Sequence, residues 1–269
     1  MALKTRDYRL DSSKSVKLNS LPTRYDGSLD KKEGLKELAD LTARLHALQA
    51  LLYADGKKAL LVVFQGMDAA GKDSTIGKVF ESVNPQGCKV VSFKSPNSTE
   101  LAHDFLWRVH QNVPRNGHIG VFNRSHYEDV LIGRVKNLAP KEQINKRYAH
   151  INNFEALLHD EGTVVIKFFL HISSDYQKAQ LQERLDTPAK LWKFSPADIP
   201  DRLLWDDYQK AYELAFEKCS TPNAPWYIVP AERRWFRNLL VAQVLVETLE
   251  AMDLKYPEVT FDPREVKIP

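Results

Sequence analysis

Between residues 31 and 53, Leu35, Leu38, Leu41, Leu45, Leu48 and Leu52 recur at three- and four-residue spacing. That period lays one apolar stripe along a helix, and Asp55-Gly56-Lys57 supplies its stop. The pattern then changes. Ala59-Leu60-Leu61-Val62-Val63-Phe64 is an unbroken apolar run, as expected of a strand buried on both faces of a parallel sheet. Similar runs fall at 89–93, 119–122, 164–172 and 226–229, and helical spacing returns between the early ones, at Ile76, Val79, Phe80 and Val83, then at Leu101, Phe105 and Val109. Strand alternating with helix predicts an α/β fold with a mostly parallel five-stranded sheet between helical layers.

One connection breaks the rhythm. Residues 173–225 are far more chain than a single crossover helix needs. They contain a basic helical stretch over 176–186, then Thr187-Pro188, then Lys190-Leu191-Trp192-Lys193-Phe194-Ser195-Pro196, then a second helix over 198–218. The segment reads as a helical lid inserted before the last strand, and a helix over 234–252 with Leu239, Val246 and Leu249 closes the chain. The first thirty residues are polar and aperiodic, an arm or a packed irregular lead-in. Residues 1–269 thus read as one domain carrying that arm and that insertion.

Composition narrows the partners. Lys and Arg number 38 against 35 Asp and Glu, a formal charge of +3. So small an excess gives little hold on nucleic acid or an anionic membrane, and any polyanion site must be local. Cys88 and Cys219 are the only cysteines, too few for a disulfide framework and suited to a reducing cytoplasm. No apolar run approaches the roughly 20 residues of a membrane span, and residues 1–20 lack a signal-peptide core. The expectation is a soluble cytoplasmic protein.

The chemistry gathers after the first strand, in Gly66-Met67-Asp68-Ala69-Ala70-Gly71-Lys72-Asp73-Ser74-Thr75. G-x-x-x-x-G-K between a strand and a helix is a phosphate-binding loop, with Gly66, Ala69, Ala70, Gly71, Lys72, Asp73 and Ser74 as its phosphate-binding positions. Its glycines let backbone N–H groups wrap one phosphate at a helix N-terminus, and Lys72 adds a point charge. The competing explanation, a glycine-rich turn, accounts for neither the lysine nor the flanking elements. Asp73 stands where the common loop has a magnesium-binding hydroxyl, and the hydroxyls of Ser74 and Thr75 come later. Another oxygen must then hold the metal. Asp68 is the candidate, because a carboxylate facing phosphates needs a divalent cation between them; the alternative is a turn-stabilising Asx residue.

The third strand ends in Asn123-Arg124-Ser125-His126-Tyr127-Glu128-Asp129. Ligands gather at the carboxyl ends of strands in an open parallel sheet, so this segment should face the loop. Arg124 offers a fork of donors to phosphate oxygens. Asn123, Arg124, Glu128 and Asp129 are the candidates for the acceptor nucleotide, and Glu128 or Asp129 could instead complete a metal shell or simply favour a helix N-terminus. His126 is assigned a structural place, because an ionised phosphate acceptor needs no general base. Arg134, Lys136, Lys146, Arg147, Lys178, Arg184, Lys190 and Lys193 cluster near the lid, each by default a solvated helix-face residue.

Together with Phe93-Lys94-Ser95-Pro96, His103-Asp104-Phe105-Leu106-Trp107-Arg108, Trp205-Asp206-Asp207-Tyr208 and Ala224-Pro225-Trp226-Tyr227-Ile228-Val229-Pro230-Ala231, these motifs resemble the family-2 polyphosphate kinases, in their class III, from about Tyr25 to Tyr256. The resemblance implies a P-loop sheet with a helical lid and reversible, magnesium-dependent transfer of the terminal phosphate of inorganic polyphosphate to a nucleotide, with manganese as an alternative ion. It implies polyphosphate, AMP, ADP and ATP as partners and a homo-oligomer; charge and apolar pattern already speak against nucleic acid and membrane. By matching position, Asp68 is the metal-binding acid, Lys72 the phosphate lysine, Arg124 the arginine after the third strand and Arg184 the lid arginine. Asn123 matches the amide of class III, whose members accept AMP as well as ADP. Two other functions share the same elements: an ATP-dependent nucleotide kinase, and a P-loop regulatory module that binds nucleotide without turnover.

Overall fold

The structure is a computed structural model that describes residues 3–10, 15–25 and 27–268. Its sheet has five strands, β1 (Ala59–Gln65), β2 (Cys88–Ser92), β3 (Ile119–Asn123), β4 (Thr163–His171) and β5 (Trp226–Pro230), in the order β2-β3-β1-β4-β5. All four pairings are parallel. β1 lies between β3 and β4 with all seven residues buried, which is why its sequence is apolar throughout. The chain leaves β1 for β2 on one side and later crosses to β4 on the other. The carboxyl end of β1 is therefore a switch point of the sheet, where such folds place ligands. β2 departs from the expected two-faced burial. It is an edge strand with only β3 beside it, and Val90 is 50% exposed.

Ten helices surround the sheet among the described residues. α1 (Lys31–Asp55) is capped by Asp30, whose side chain accepts from the Glu33 N–H at 2.9 Å, and ends at Gly56 with φ 63°. It buries Leu38, Leu41, Leu45 and Leu52, whereas Leu35 at the start of the predicted stripe is 43% exposed. α2 (Lys72–Val79) opens directly from the loop. One helix was predicted after β2; two single turns, α3 (Ser98–Leu101) and α4 (Trp107–His110), are found instead. A capping box between Asn97 and Glu100 starts the first, and Asp104 accepts from the Leu106 N–H at 2.9 Å to turn the chain before the second.

α5 (Ile132–Val135) leads into α6 (Lys141–Asp160), a twenty-residue helix absent from the sequence reading. Its buried Ile144, Tyr148, Ile151 and Leu158 do follow helical spacing. Between β4 and β5 lie α7 (Ser174–Asp186), α8 (Asp198–Leu203) and α9 (Trp205–Cys219), the last two separated at Leu204 where one helix was expected. α10 (Arg234–Glu250) packs on α1. The described part of the lead-in is packed on the domain: the Leu10 N–H donates to the Trp226 carbonyl at 2.9 Å, Leu18 is buried, and Tyr25 stacks on Phe236 with ring centroids 3.8 Å apart.

β4 carries one charge into the core. Lys167 is fully buried, and its ammonium donates to Glu155 Oε2 at 2.5 Å, the Cys219 carbonyl at 2.7 Å and the Tyr127 hydroxyl at 2.9 Å. Tyr127 in turn donates to Glu155 Oε1 at 2.9 Å, and a ring nitrogen of His126 lies 3.3 Å from the same oxygen. Burial alone would raise the Glu155 carboxyl, but Lys167 and His126 hold it below its ordinary value. His126 is thus fully buried within this cluster, the structural place expected of it because an ionised phosphate acceptor needs no general base.

Candidate active site

Two glycines let the loop close on itself. Gly66 has φ 155°, and a Cβ there would stand 2.9 Å from the Leu170 carbonyl; Gly71 has φ 98°, and its Cβ would stand 2.1 Å from Arg237 Nη1. Ala69 and Arg124 adopt left-handed backbone at φ 65° and 61°, a strain that clusters at functional sites. At the end of the loop, α2 presents its unpaired N–H groups and positive dipole end.

Lys72 is 8% exposed and donates to the carbonyls of Gly66 at 2.7 Å and Met67 at 3.3 Å. Burial lowers its pKa, and the Asp68 carboxylate partly opposes that. Opposite it, Arg124 Nη2 donates to Asp68 Oδ1 at 2.7 Å. The Arg124 N–H donates to the Phe64 carbonyl at 3.0 Å, so its backbone is pinned to the end of β1. Burial would weaken the guanidinium's hold on its proton, but the carboxylates of Glu128 and Asp68 outweigh it and raise the pKa.

The segment between β4 and β5 is joined to the loop. Gln177 of α7 donates to the Asp68 carbonyl at 3.0 Å, and its Oε1 accepts from Arg202 of α8 at 3.0 Å. Arg202 also donates to the Ser174 carbonyl at 2.7 Å. The resulting narrow cleft, about 50 Å³, is lined by Gly66, Met67, Asp68, Arg124, Glu128, Asp198, Asp201 and Arg202, with Tyr208 and Tyr212 from α9. Burial pushes the Glu128 and Asp198 carboxyls up, against the pull of the nearby arginines.

The expected site residues divide. Asp68, Lys72, Arg124 and Glu128 converge at the loop. Asn123 stands behind them and donates to Asp73 Oδ1 at 2.7 Å. Ser74 Oγ donates to the Gly71 carbonyl at 2.9 Å and accepts from Arg237 at 3.0 Å, so its hydroxyl is engaged on the helix side of the loop. Arg184 sits one step back, donating to the Lys193 carbonyl at 3.3 Å and lying 3.6 Å from Asp198, which itself lines the cleft. Asp129 is turned away. It pairs with Arg147 at 3.2 Å in a neighbouring cavity of about 800 Å³ that also contains Arg108, Phe105 and His150.

Arg202, Gln177 and Arg237 were missed in the sequence. Arg237 left only a faint signal, a charge between Trp235-Phe236 and Leu239-Leu240 in a helix start that also holds Arg234 and Asn238. Gln177 left none. Among the described residues no three carboxylate, imidazole or thiol groups converge as a closed metal cage. One or two carboxylates plus substrate oxygens is, however, the donor set magnesium prefers, and Asp68, with Glu128 lining the same cleft, fits it.

Strand order, loop and opposing arginine define a P-loop phosphotransferase. Residues 28–257 match the family described as polyphosphate kinase 2 (PPK2), and the chain belongs to that family. It is 58% identical over 228 residues to the AMP/ADP-polyphosphate phosphotransferase of Meiothermus ruber, covering 85% of each chain. It is 45% identical over 273 residues to the ADP-polyphosphate phosphotransferase of Rhodopseudomonas palustris, covering 97% of this chain and 94% of that one. The crystal structure of polyphosphate kinase 2 from Arthrobacter aurescens TC1 superposes with a TM-score of 0.92 at 42% identity, covering 96% of this chain and 93% of that one. No helix among the described residues is long and apolar enough to cross a membrane.

Proposed function

We propose that the protein transfers the terminal phosphate of inorganic polyphosphate to AMP and to ADP, reversibly. The observation that carries the reading is the loop itself. Buried Lys72 and the Arg124–Asp68 pair, 2.7 Å apart, stand at the carboxyl end of β1 in a chain 58% identical to an AMP/ADP-polyphosphate phosphotransferase.

Donor and acceptor are both polyanions, and the acceptor phosphate is already ionised. Catalysis therefore reduces to alignment and charge neutralisation. The loop N–H groups and Lys72 hold one phosphate, and Arg124 reaches the transferred group from the β3 side. Arg202 and Arg184 bring charge from the segment between β4 and β5, the lid of this reading. Asp68 would hold magnesium, with manganese as a substitute, and the ion would supply positive charge against the phosphates. Glu128 faces the acceptor nucleotide from the cleft, and Asn123 bears on it from behind through Asp73; Asp129 would touch it only through the neighbouring cavity. Cytoplasmic location, argued from the two cysteines and the apolar pattern, and a homo-oligomer, argued from the family resemblance, complete the proposal.

Incubation with AMP, polyphosphate and magnesium, without ATP, tests it. ADP should appear first and ATP after it. Product formed only when ATP is supplied would favour a conventional nucleotide kinase, and nucleotide binding without product would favour a regulatory module.

A further inference from the structure

Arg237, in the first turn of α10, is 2% exposed and lies directly behind the loop. Its guanidinium donates through Nη2 to Ser74 Oγ at 3.0 Å, through Nη1 to the Ala70 carbonyl at 3.3 Å and through Nε to Asn238 Oδ1 at 3.3 Å. All three acceptors are neutral. Among the described residues Arg108 and Lys167, also deeply buried, have Glu100 at 3.6 Å and Glu155 at 2.5 Å; Arg237, like Lys72 of the loop itself, has no carboxylate at ion-pair distance. Burial brings its pKa down to about 10, so it is still a cation at neutral pH.

Burying a charge without a counter-charge is costly. The nearest place for an anion is the loop, because Arg237 Nη1 occupies the space that a side chain at position 71 would need, 2.1 Å from an ideal Cβ. The hydrogen bond to the Ala70 carbonyl also polarises the peptide that carries the Gly71 N–H and strengthens that donor.

We infer that Arg237 is a positioning residue for phosphate, fixing the 70–71 peptide from behind while its unpaired charge attracts the phosphate chain held on the loop's other face. The inference rests on the phosphoryl-transfer reading. It requires charge at position 237, whereas a purely architectural role requires only donors and shape.

The test is equilibrium binding of tripolyphosphate by calorimetry to the full-length wild type and to Arg237→Lys, Arg237→Gln and Arg237→Met, with a melting temperature for each. Arg237→Lys keeps the charge and should bind within a few-fold of wild type; Arg237→Gln keeps donors without charge and should bind roughly tenfold or more weakly, as should Arg237→Met. In turnover, the neutral variants should raise KM for polyphosphate more than they lower kcat. Should Arg237→Met fail to fold, the Lys and Gln pair still decides. Wild-type affinity in folded Arg237→Gln, or equal loss in Arg237→Lys and Arg237→Gln, overturns the inference, as does a wild type that binds no tripolyphosphate. If wild type binds tripolyphosphate in the predicted order but transfers no phosphate, the functional reading fails and the inference stands.

Discussion

Two buried lysines, Lys167 and Lys72, lie on or just beyond adjacent strands and are treated differently by the fold. Lys167 is closed off: a carboxylate, a hydroxyl and a carbonyl take up its ammonium, and Glu155 balances its charge. Lys72 rests only on the carbonyls of Gly66 and Met67, with no carboxylate at ion-pair distance among the described residues, and it stands in a strained loop. A core charge is satisfied by the chain itself, whereas Lys72, which the proposed function assigns to substrate phosphate, is left with two carbonyls only. Lys167 should therefore answer to stability and Lys72 to rate.

The largest expected effect breaks that contrast or confirms it. Lys72→Met should lower the transfer rate about a hundred- to a thousand-fold, the usual cost of losing one preorganised charge-stabilising group, with a melting temperature close to wild type. Lys167→Met should do the reverse per folded molecule, destabilising by about 3–5 kcal/mol because Glu155 is left buried and uncompensated. Denaturant melts and rates corrected for folded fraction separate the two; a large rate loss in folded Lys167→Met would erase the distinction.

Within the loop, Asp68→Asn should raise the magnesium concentration needed for half-maximal rate roughly tenfold or more. Ser74→Ala should leave that concentration near wild type, since the Ser74 hydroxyl is turned to Gly71 and Arg237. Magnesium titrations of the two variants that coincide would remove Asp68 from its metal role.

Arg184→Ala should cost roughly tenfold in rate at saturating polyphosphate and nucleotide, and Arg202→Ala at least as much, because Arg202 lines the cleft directly while Arg184 reaches it through Asp198. Variants altered in melting temperature alone would make both arginines scaffold.

The smallest effect concerns acceptor choice. Asn123→Asp would set a carboxylate where the amide now donates to Asp73 at 2.7 Å, opposing both Asp73 and a nearby acceptor phosphate. AMP, which must bring its single phosphate close to the donor, should suffer more than ADP. The ratio of the two kcat/KM values at fixed free magnesium reads this, and an unchanged ratio would move acceptor choice to the segment between β4 and β5.

Much of this site was legible because its chemistry is local. The loop, its lysine and the segment after β3 lie within short stretches whose residue types match their task, and the apolar runs placed all five strands. What the sequence hid depends on tertiary approach. Arg202 and Gln177 acquire meaning only when the chain between β4 and β5 folds back over Asp68. Asp129 turns into a separate cavity although it directly follows Glu128. α6 was overlooked because its apolar positions are interleaved with charges, and composition does not encode which sheet edge is covered: β5, with the Leu10 N–H paired to its Trp226 carbonyl, is buried throughout, whereas β2 at the other edge is partly exposed.

The most direct measurement follows isotope. Polyphosphate labelled with phosphorus-32 is mixed with unlabelled AMP, magnesium and the full-length protein, and the nucleotides are separated over time. Label should enter the β-phosphate of ADP first and the γ-phosphate of ATP afterwards, both lost in Lys72→Met. Label that stays in the polymer while nucleotide is phosphorylated only from added ATP would contradict the account.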